Sequence, residues 1–163
     1  MKVLVDTSVW SLALRRKDTA RLSSDEQKLK AKLVEAVQLG RVAMLGVIRQ
    51  ELLSGIKEQA QFEKVKAGLD PFLDETVSTA DHEYAARIYN ECRSRGVEAG
   101  TVDFLICAFA VRRGWEVLSN DGGLNRCLEV AKQLYEQSMA AAAEDRKPRR
   151  AFRKTSPKMG KKK

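Results

Sequence analysis

Three short apolar runs, KVLV (2–5), RVAML (41–45) and WEVLS (115–119), constrain this chain more than any other feature. None of them alternates polar with apolar residues, as a strand with one wet face does. They read instead as strands covered on both faces, which is the habit of a parallel sheet. Helical patterning fills the stretches between them. Strands alternating with helices in this way predict an α/β domain, a three-layer α/β/α sandwich around a central, mostly parallel sheet.

The helices carry their own punctuation. TSVWSLAL starts a helix with Thr7 or Ser8 as its cap. In SSDEQKLKAKLVEAVQLG, Ser24 and Gln27 fit a capping box, Leu29, Leu33 and Val37 recur at helical spacing, and Gly40 is a natural stop. VIRQELLSG is a helix ending at Gly55, and 58–68 continues helical. Pro71 interrupts, and FLDETVS is a weaker strand candidate. TADHEYAARIYNECRSRG and the strongly apolar GTVDFLICAFAVRRG are helices closed by Gly96 and Gly114, the second with Thr101 as cap. From Leu124 the pattern is helical to about Ala143, and no internal repeat is evident.

A chain of 163 residues matches one domain and buries a core without staples. No apolar run reaches the roughly 18–20 residues of a membrane span, and the N-terminus lacks a signal-peptide pattern, so a cytoplasmic protein with no membrane partner is expected. Cys92, Cys107 and Cys127 are widely spaced and odd in number, which gives no zinc or disulfide framework, and Cys107 reads as a small core residue. Charge divides the chain in two. Residues 144–163 hold ten Lys/Arg against two acids, and that excess equals the +8 of the whole chain. The body, 1–143, is therefore neutral. The tail is too polar to order itself by burial, and it reads either as an arm that attracts phosphates without sequence preference or as a solubilising extension.

Ligands of an open parallel sheet bind beyond the carboxyl ends of its strands, where the crossover helices also begin. Four acids are expected at that edge. Asp6 follows the first strand, and Glu51 lies in the helix after the second. Asp103 sits in the first turn of the apolar helix, and Asp121 comes two residues after WEVLS. Singly, each has a plain explanation: Asp6 and Asp121 as helix caps, Asp103 as a complement to a helix dipole, Glu51 as a solvated helix residue. Together they argue differently. Converging carboxylates raise one another's pKa values, and a hard divalent cation relieves that cost. Magnesium or manganese prefers oxygen ligands and keeps several waters. Such an ion activates water and stabilises a phosphoryl leaving group, the chemistry of metal-dependent nucleases.

Composition removes rivals. The one histidine, His82, lies in a polar helical stretch and reads as a surface residue. That excludes ribonuclease chemistry by a histidine pair and multi-histidine zinc sites. No nucleophile motif accompanies His82, and neither a GxxxxGK[ST] nor a GxGxxG phosphate loop is present.

VLVDTSVW, RQELLSG, GTVDFLICAFAVRRG and VLSND, in that order, resemble the four acidic motifs of PIN-domain nucleases, and within that family the VapC-type toxins of toxin–antitoxin pairs. The resemblance covers roughly residues 1–126. It implies a Mg2+- or Mn2+-dependent endoribonuclease toxin, commonly a homodimer, neutralised by a cognate antitoxin that covers the acidic site. Carried over, Asp6, Glu51, Asp103 and Asp121 would be the catalytic quartet. Asp6 and Asp103 would be the most direct metal ligands, with Glu51 and Asp121 completing the shell or orienting water. Ser8 and Ser119 would support the ligands from behind, and Asn120 would help shape the site; local capping or turn chemistry explains these three equally well.

Two departures stand out. The family's last motif often continues with a second acid and an aromatic, as in ND-x-D-F, whereas this chain reads NDGGL, with Gly123 and Leu124 at those positions. The family also usually returns in a final short strand, where NRCLEVAKQLYEQSMAAAAEDRK looks helical throughout. A PIN-like module that binds RNA or protein through the basic tail without cutting is the alternative reading. A different metal phosphohydrolase is a third, for which Asp6 lacks a second acid at position 8. The helices at 23–39 and 47–68 carry apolar residues that either form a groove for a partner peptide or face the core.

Overall fold

The structure, a computed structural model, describes residues 1–15 and 21–146. Within them the elements follow in the order β1 (Val3–Val5), α1 (Thr7–Leu14), α2 (Ser24–Gln38), β2 (Val42–Ala43), α3 (Gly46–Leu53), α4 (Gln59–Leu69), α5 (Thr79–Ser94), α6 (Thr101–Arg113), β3 (Glu116–Leu118) and α7 (Gly122–Asp145). Residues 147–163, most of the expected basic tail, lie outside the described residues.

The three apolar runs form one parallel sheet in the order β2-β1-β3. Leu4 pairs with Ala43 on one side and Val117 on the other. Central β1 is buried at every residue, as its unalternating sequence requires. The connection from β1 steps to one side of the sheet, and the connection from β2 steps back past β1 to the other. Right-handed crossovers in opposite directions place their helices on opposite faces. The packing divides the helices into two groups in this way, except that α3 and α4, which open the second connection, stay with the helices of the first. Helix α1 packs on α2 and α3, and α3 on α4, whereas α5, α6 and α7 pack on one another. The adjacent strands β1 and β3 thus send their chains into different helical layers, and a crevice opens between their carboxyl ends.

Helix α6 is the spine of the second layer. Phe104 through Val111 are all buried, which accounts for a stretch too apolar to be amphipathic. Arg112 and Arg113 at its end both pair with Asp81, a fully buried acid in the first turn of α5. Cys92, Cys107 and Cys127, one from each of α5, α6 and α7, are buried free thiols despite their wide spacing in sequence. Burial above all pushes the Cys92 thiol up to about 12, so it stays a neutral core group.

Several local expectations shift by one residue or lose an element. The N-cap of α1 is Asp6, not Thr7 or Ser8. The capping box of α2 is Ser23 with Glu26, not Ser24 with Gln27. Two Ser in a row and two acceptors three residues on make these registers equivalent in sequence. The core stripe of α2 is Leu33 with Ala36, and Val37 is exposed. Gly100 precedes α6 as its N-cap, displacing Thr101. Helix α3 stops at Leu53, short of Gly55. FLDETVS contributes only one bridge, Met44 with Asp74, to the β2 side, because the Arg49 guanidinium holds Asp74 and the Phe72 carbonyl instead. Where the family pattern returns in a final short strand, the described residues form the 24-residue α7, the helix that the patterning predicts.

Candidate functional site

Asp6 is built by the end of β1. The sheet continues one residue beyond the strand, because the Asp6 amide donates to the Leu118 carbonyl of β3 at 2.9 Å. Its side chain is 5% exposed, a costly place for a carboxylate without partners. Three donors meet that cost on a single oxygen. Oδ2 accepts from the Ser8 hydroxyl at 2.6 Å, the Ser119 hydroxyl at 3.0 Å and the Ser8 amide at 3.2 Å. Ser8 and Ser119 in turn accept from the amides of Asn120 and Asp121, at 2.9 and 3.0 Å. One network therefore ties the residues after β1 to those after β3. Asn120 enters it through its backbone, and its side chain takes no part.

The other three acids are fixed by the same economy. Asp121 is the N-cap of α7, where its Oδ1 accepts from the Leu124 amide at 2.8 Å. Asp103 reaches back across the first turn of α6, and its Oδ2 accepts from the Gly100 amide at 2.6 Å. Glu51 stands on an exposed turn of α3, where a long side chain has several rotamers open to it. The Thr7 hydroxyl holds its Oε2 at 2.8 Å. In each of the four carboxylates, the second oxygen makes no hydrogen bond to the protein among the described residues.

The four acids share one cleft. Asp6, Thr7, Ser8, Gln50, Glu51, Ser54, Asp103 and Asp121 line a hollow of about 430 Å³, and no Lys, Arg or His is among them. The charges act on one another. Burial foremost raises the Asp103 pKa, the Gly100 amide opposes it, and Asp6, Asp121 and Glu51 all push it further up. All four predicted acids and Ser8 are thus brought to one cleft, with Ser119 buried directly behind. Thr7, Gln50 and Ser54 were not expected as lining residues. Ser54, the C-cap of α3, lies three residues after Glu51 and four after Gln50, the spacings at which helical side chains are neighbours.

The donor set is entirely oxygen, as magnesium and manganese prefer. Among the described residues, no group of three or more His, Cys, Asp or Glu side chains is arranged to hold a metal ion. Magnesium asks for less than such a group, since it commonly keeps several waters and takes one or two carboxylates directly.

The PIN domain model matches residues 3–127 of this sequence. The crystal structure of FitAcB from Neisseria gonorrhoeae is similar in fold, with a TM-score of 0.59 over 79% of this chain and 92% of that one at 18% identity. No protein of curated function matches the sequence.

Proposed function

The chain belongs to the PIN-domain family, and from that premise we propose that it is a metal-dependent endoribonuclease of the toxin type, neutralised by a cognate antitoxin protein. One observation carries the reading. Four carboxylates from four separate stretches of the chain line one cleft whose lining holds no basic side chain, and each keeps one oxygen without a hydrogen bond to the protein among the described residues. A structural cluster of acids would be neutralised by Lys or Arg; this one is left in need of a cation.

Asp6 and Asp103 are the residues that would hold Mg2+ or Mn2+, and Asp121 and Glu51 complete the acidic wall. When bound, the ion supplies charge neutralisation at the phosphate and a water of lowered pKa. The chain's own groups supply orientation. Ser8 and Ser119 fix Asp6 in one rotamer, and Thr7 does the same for Glu51, so that a water between Glu51 and the phosphate meets a fixed acceptor. On this proposal the basic residues beyond 146 serve as a phosphate-attracting arm. A homodimer and a cytoplasmic site of action belong to the same proposal. No helix among the described residues is long and apolar enough to cross a membrane.

Purified protein should cut RNA with magnesium and stop with a chelator. Asp6→Ala and Asp103→Ala should each lower cleavage by at least about 100-fold, beyond the 10–100-fold typical of losing only a supporting partner, with the circular dichroism spectrum unchanged. Full activity in either variant would sink the proposal. The alternative is a module that holds RNA without cutting, favoured by nine Lys/Arg and no acid over residues 147–163. It predicts magnesium-independent binding and no cleavage by the unaltered chain.

A further inference from the structure

The second residue of α7, Gly123, sits where a side chain would be crowded from its first carbon. A Cβ built there would lie 3.0 Å from the Glu98 carbonyl oxygen, 3.1 Å from Asp121 Oδ1 and 3.9 Å from the Ala99 Cα. The first of these is backbone and cannot swing aside. Its neighbour Gly122 is different, since a Cβ there meets only the far end of the Arg126 side chain, at 3.3 Å. Two adjacent glycines at the start of one helix thus have unequal roles, and only the second is required by a close approach.

What approaches is the segment that delivers Asp103. Glu98 and Ala99 run directly into Gly100, whose amide donates to Asp103 Oδ2 at 2.6 Å. On the other side of the contact, Asp121 caps α7 one turn away, on the Leu124 amide. The backbone-to-backbone contact at Gly123 therefore sets the spacing between two of the four acids. We infer that Gly123 is a positioning residue. By lacking a side chain it lets the 98–100 segment seat against α7, and this seating fixes Asp103 relative to Asp121. The inference rests on the metal-site reading above for its consequence, though not for its geometry.

The test uses the full chain. Gly123→Ala and Gly123→Asp should weaken Mn2+ binding, read by electron paramagnetic resonance of the free ion, by about 10-fold, the scale of losing a partner that orients a ligand. The aspartate variant should be the weaker, although it adds a carboxylate. Gly122→Ala, in the same turn, should bind as the unaltered chain does. In metal-free protein, the Gly100 amide should exchange with solvent several-fold faster in Gly123→Ala than in Gly122→Ala, while the melting temperatures of the two stay close. Ala99→Gly, which loosens the segment from the opposite side, should also speed Gly100 exchange. Tighter Mn2+ binding by Gly123→Asp, or unchanged Gly100 exchange in both Gly123→Ala and Ala99→Gly, overturns the inference. So does loss of folding in Gly123→Ala with unchanged exchange in Ala99→Gly. If the unaltered chain binds no Mn2+, the metal-site reading fails, and the exchange data alone decide the role of Gly123.

Discussion

Asp81 does for the fold what Asp6 does for the site. Both are buried acids near the start of a helix, and both are held by serine hydroxyls. The difference lies in what else they meet. Asp81 accepts from Arg112, from both terminal nitrogens of Arg113 at 2.8 and 3.0 Å, and from the Ser78 amide and hydroxyl at 2.8 Å. Burial alone would raise its pKa, but Arg113 and Ser78 outweigh burial and hold it well below the usual carboxylate range. Its stabilising charge is thus fully present above the unfolded value of about 3.9 and is lost as pH falls below that, through the lower folded value. Asp81→Asn should cost about 3 kcal/mol at pH 7, the lower end for opening a buried pair, since the two arginines keep some access to water. Urea unfolding at pH 7 and pH 3 checks the sign. The gap between Asp81→Asn and the unaltered chain should narrow by about 1 kcal/mol at pH 3, where the unfolded acid has already taken up its proton. At this scale the sequence was legible in an instructive way. Asp6 and Asp121 had two readings, helix cap and site acid, and the geometry is compatible with both: each caps its helix through one oxygen, and each lines the acidic cleft. Thr7 had only its capping reading, because nothing in the sequence says that residue 7 meets residue 51.

Elements were legible where period and punctuation agree, and illegible where tertiary packing decides. The three strands and the long apolar α6 stand out because no other environment tolerates them. FLDETVS carries the same β-branched and aromatic signal, yet it forms one bridge, since Arg49 and the start of α3 take its polar groups. Helix α7 shows what replaces the final strand of the family pattern. Its first half is core: Leu124, Cys127, Leu128, Val130 and Ala131 are buried, and Leu134 and Tyr135 pack against them. Every residue from 136 to 146 is exposed. A chain ending at residue 138 should therefore melt within a few degrees of the full chain. One ending at 126 loses four buried side chains, at about 1–3 kcal/mol each, against a total stability of about 5–15 kcal/mol. It should be unfolded by circular dichroism. Native melting of the 126-residue chain would show that α7 is an appendage and that the sheet is closed by something else.

At the scale of the whole molecule, charge is segregated. The cleft gathers four carboxylates, the body of 1–143 is neutral, and residues 147–163 carry nine Lys/Arg and no acid. An RNA strand approaching an acidic cleft is repelled until a cation intervenes, so a neutral body alone has little to attract it. On the proposed reading, the nine Lys/Arg of the tail supply that attraction. Helix α7 starts at the acidic edge and runs 24 residues, about 36 Å at 1.5 Å per residue, so residue 146 stands far from the cleft. A stretch of seventeen residues can reach at most about 60 Å, a length sufficient to meet a strand bound at the site. Each phosphate neutralised on a single strand adds about 0.7 to the slope of log affinity against log salt. If four of the nine charges engage, removing residues 147–163 should flatten that slope by about 3 and weaken RNA binding near physiological salt by at least 10-fold. Cleavage under saturating RNA should be unchanged, since none of the four acids lies in the tail. Binding titrations across salt concentrations, alongside single-turnover cleavage, separate the two effects. An unchanged slope would assign the tail to solubility. A matching loss of saturated cleavage would place its charges at the reacting phosphate instead.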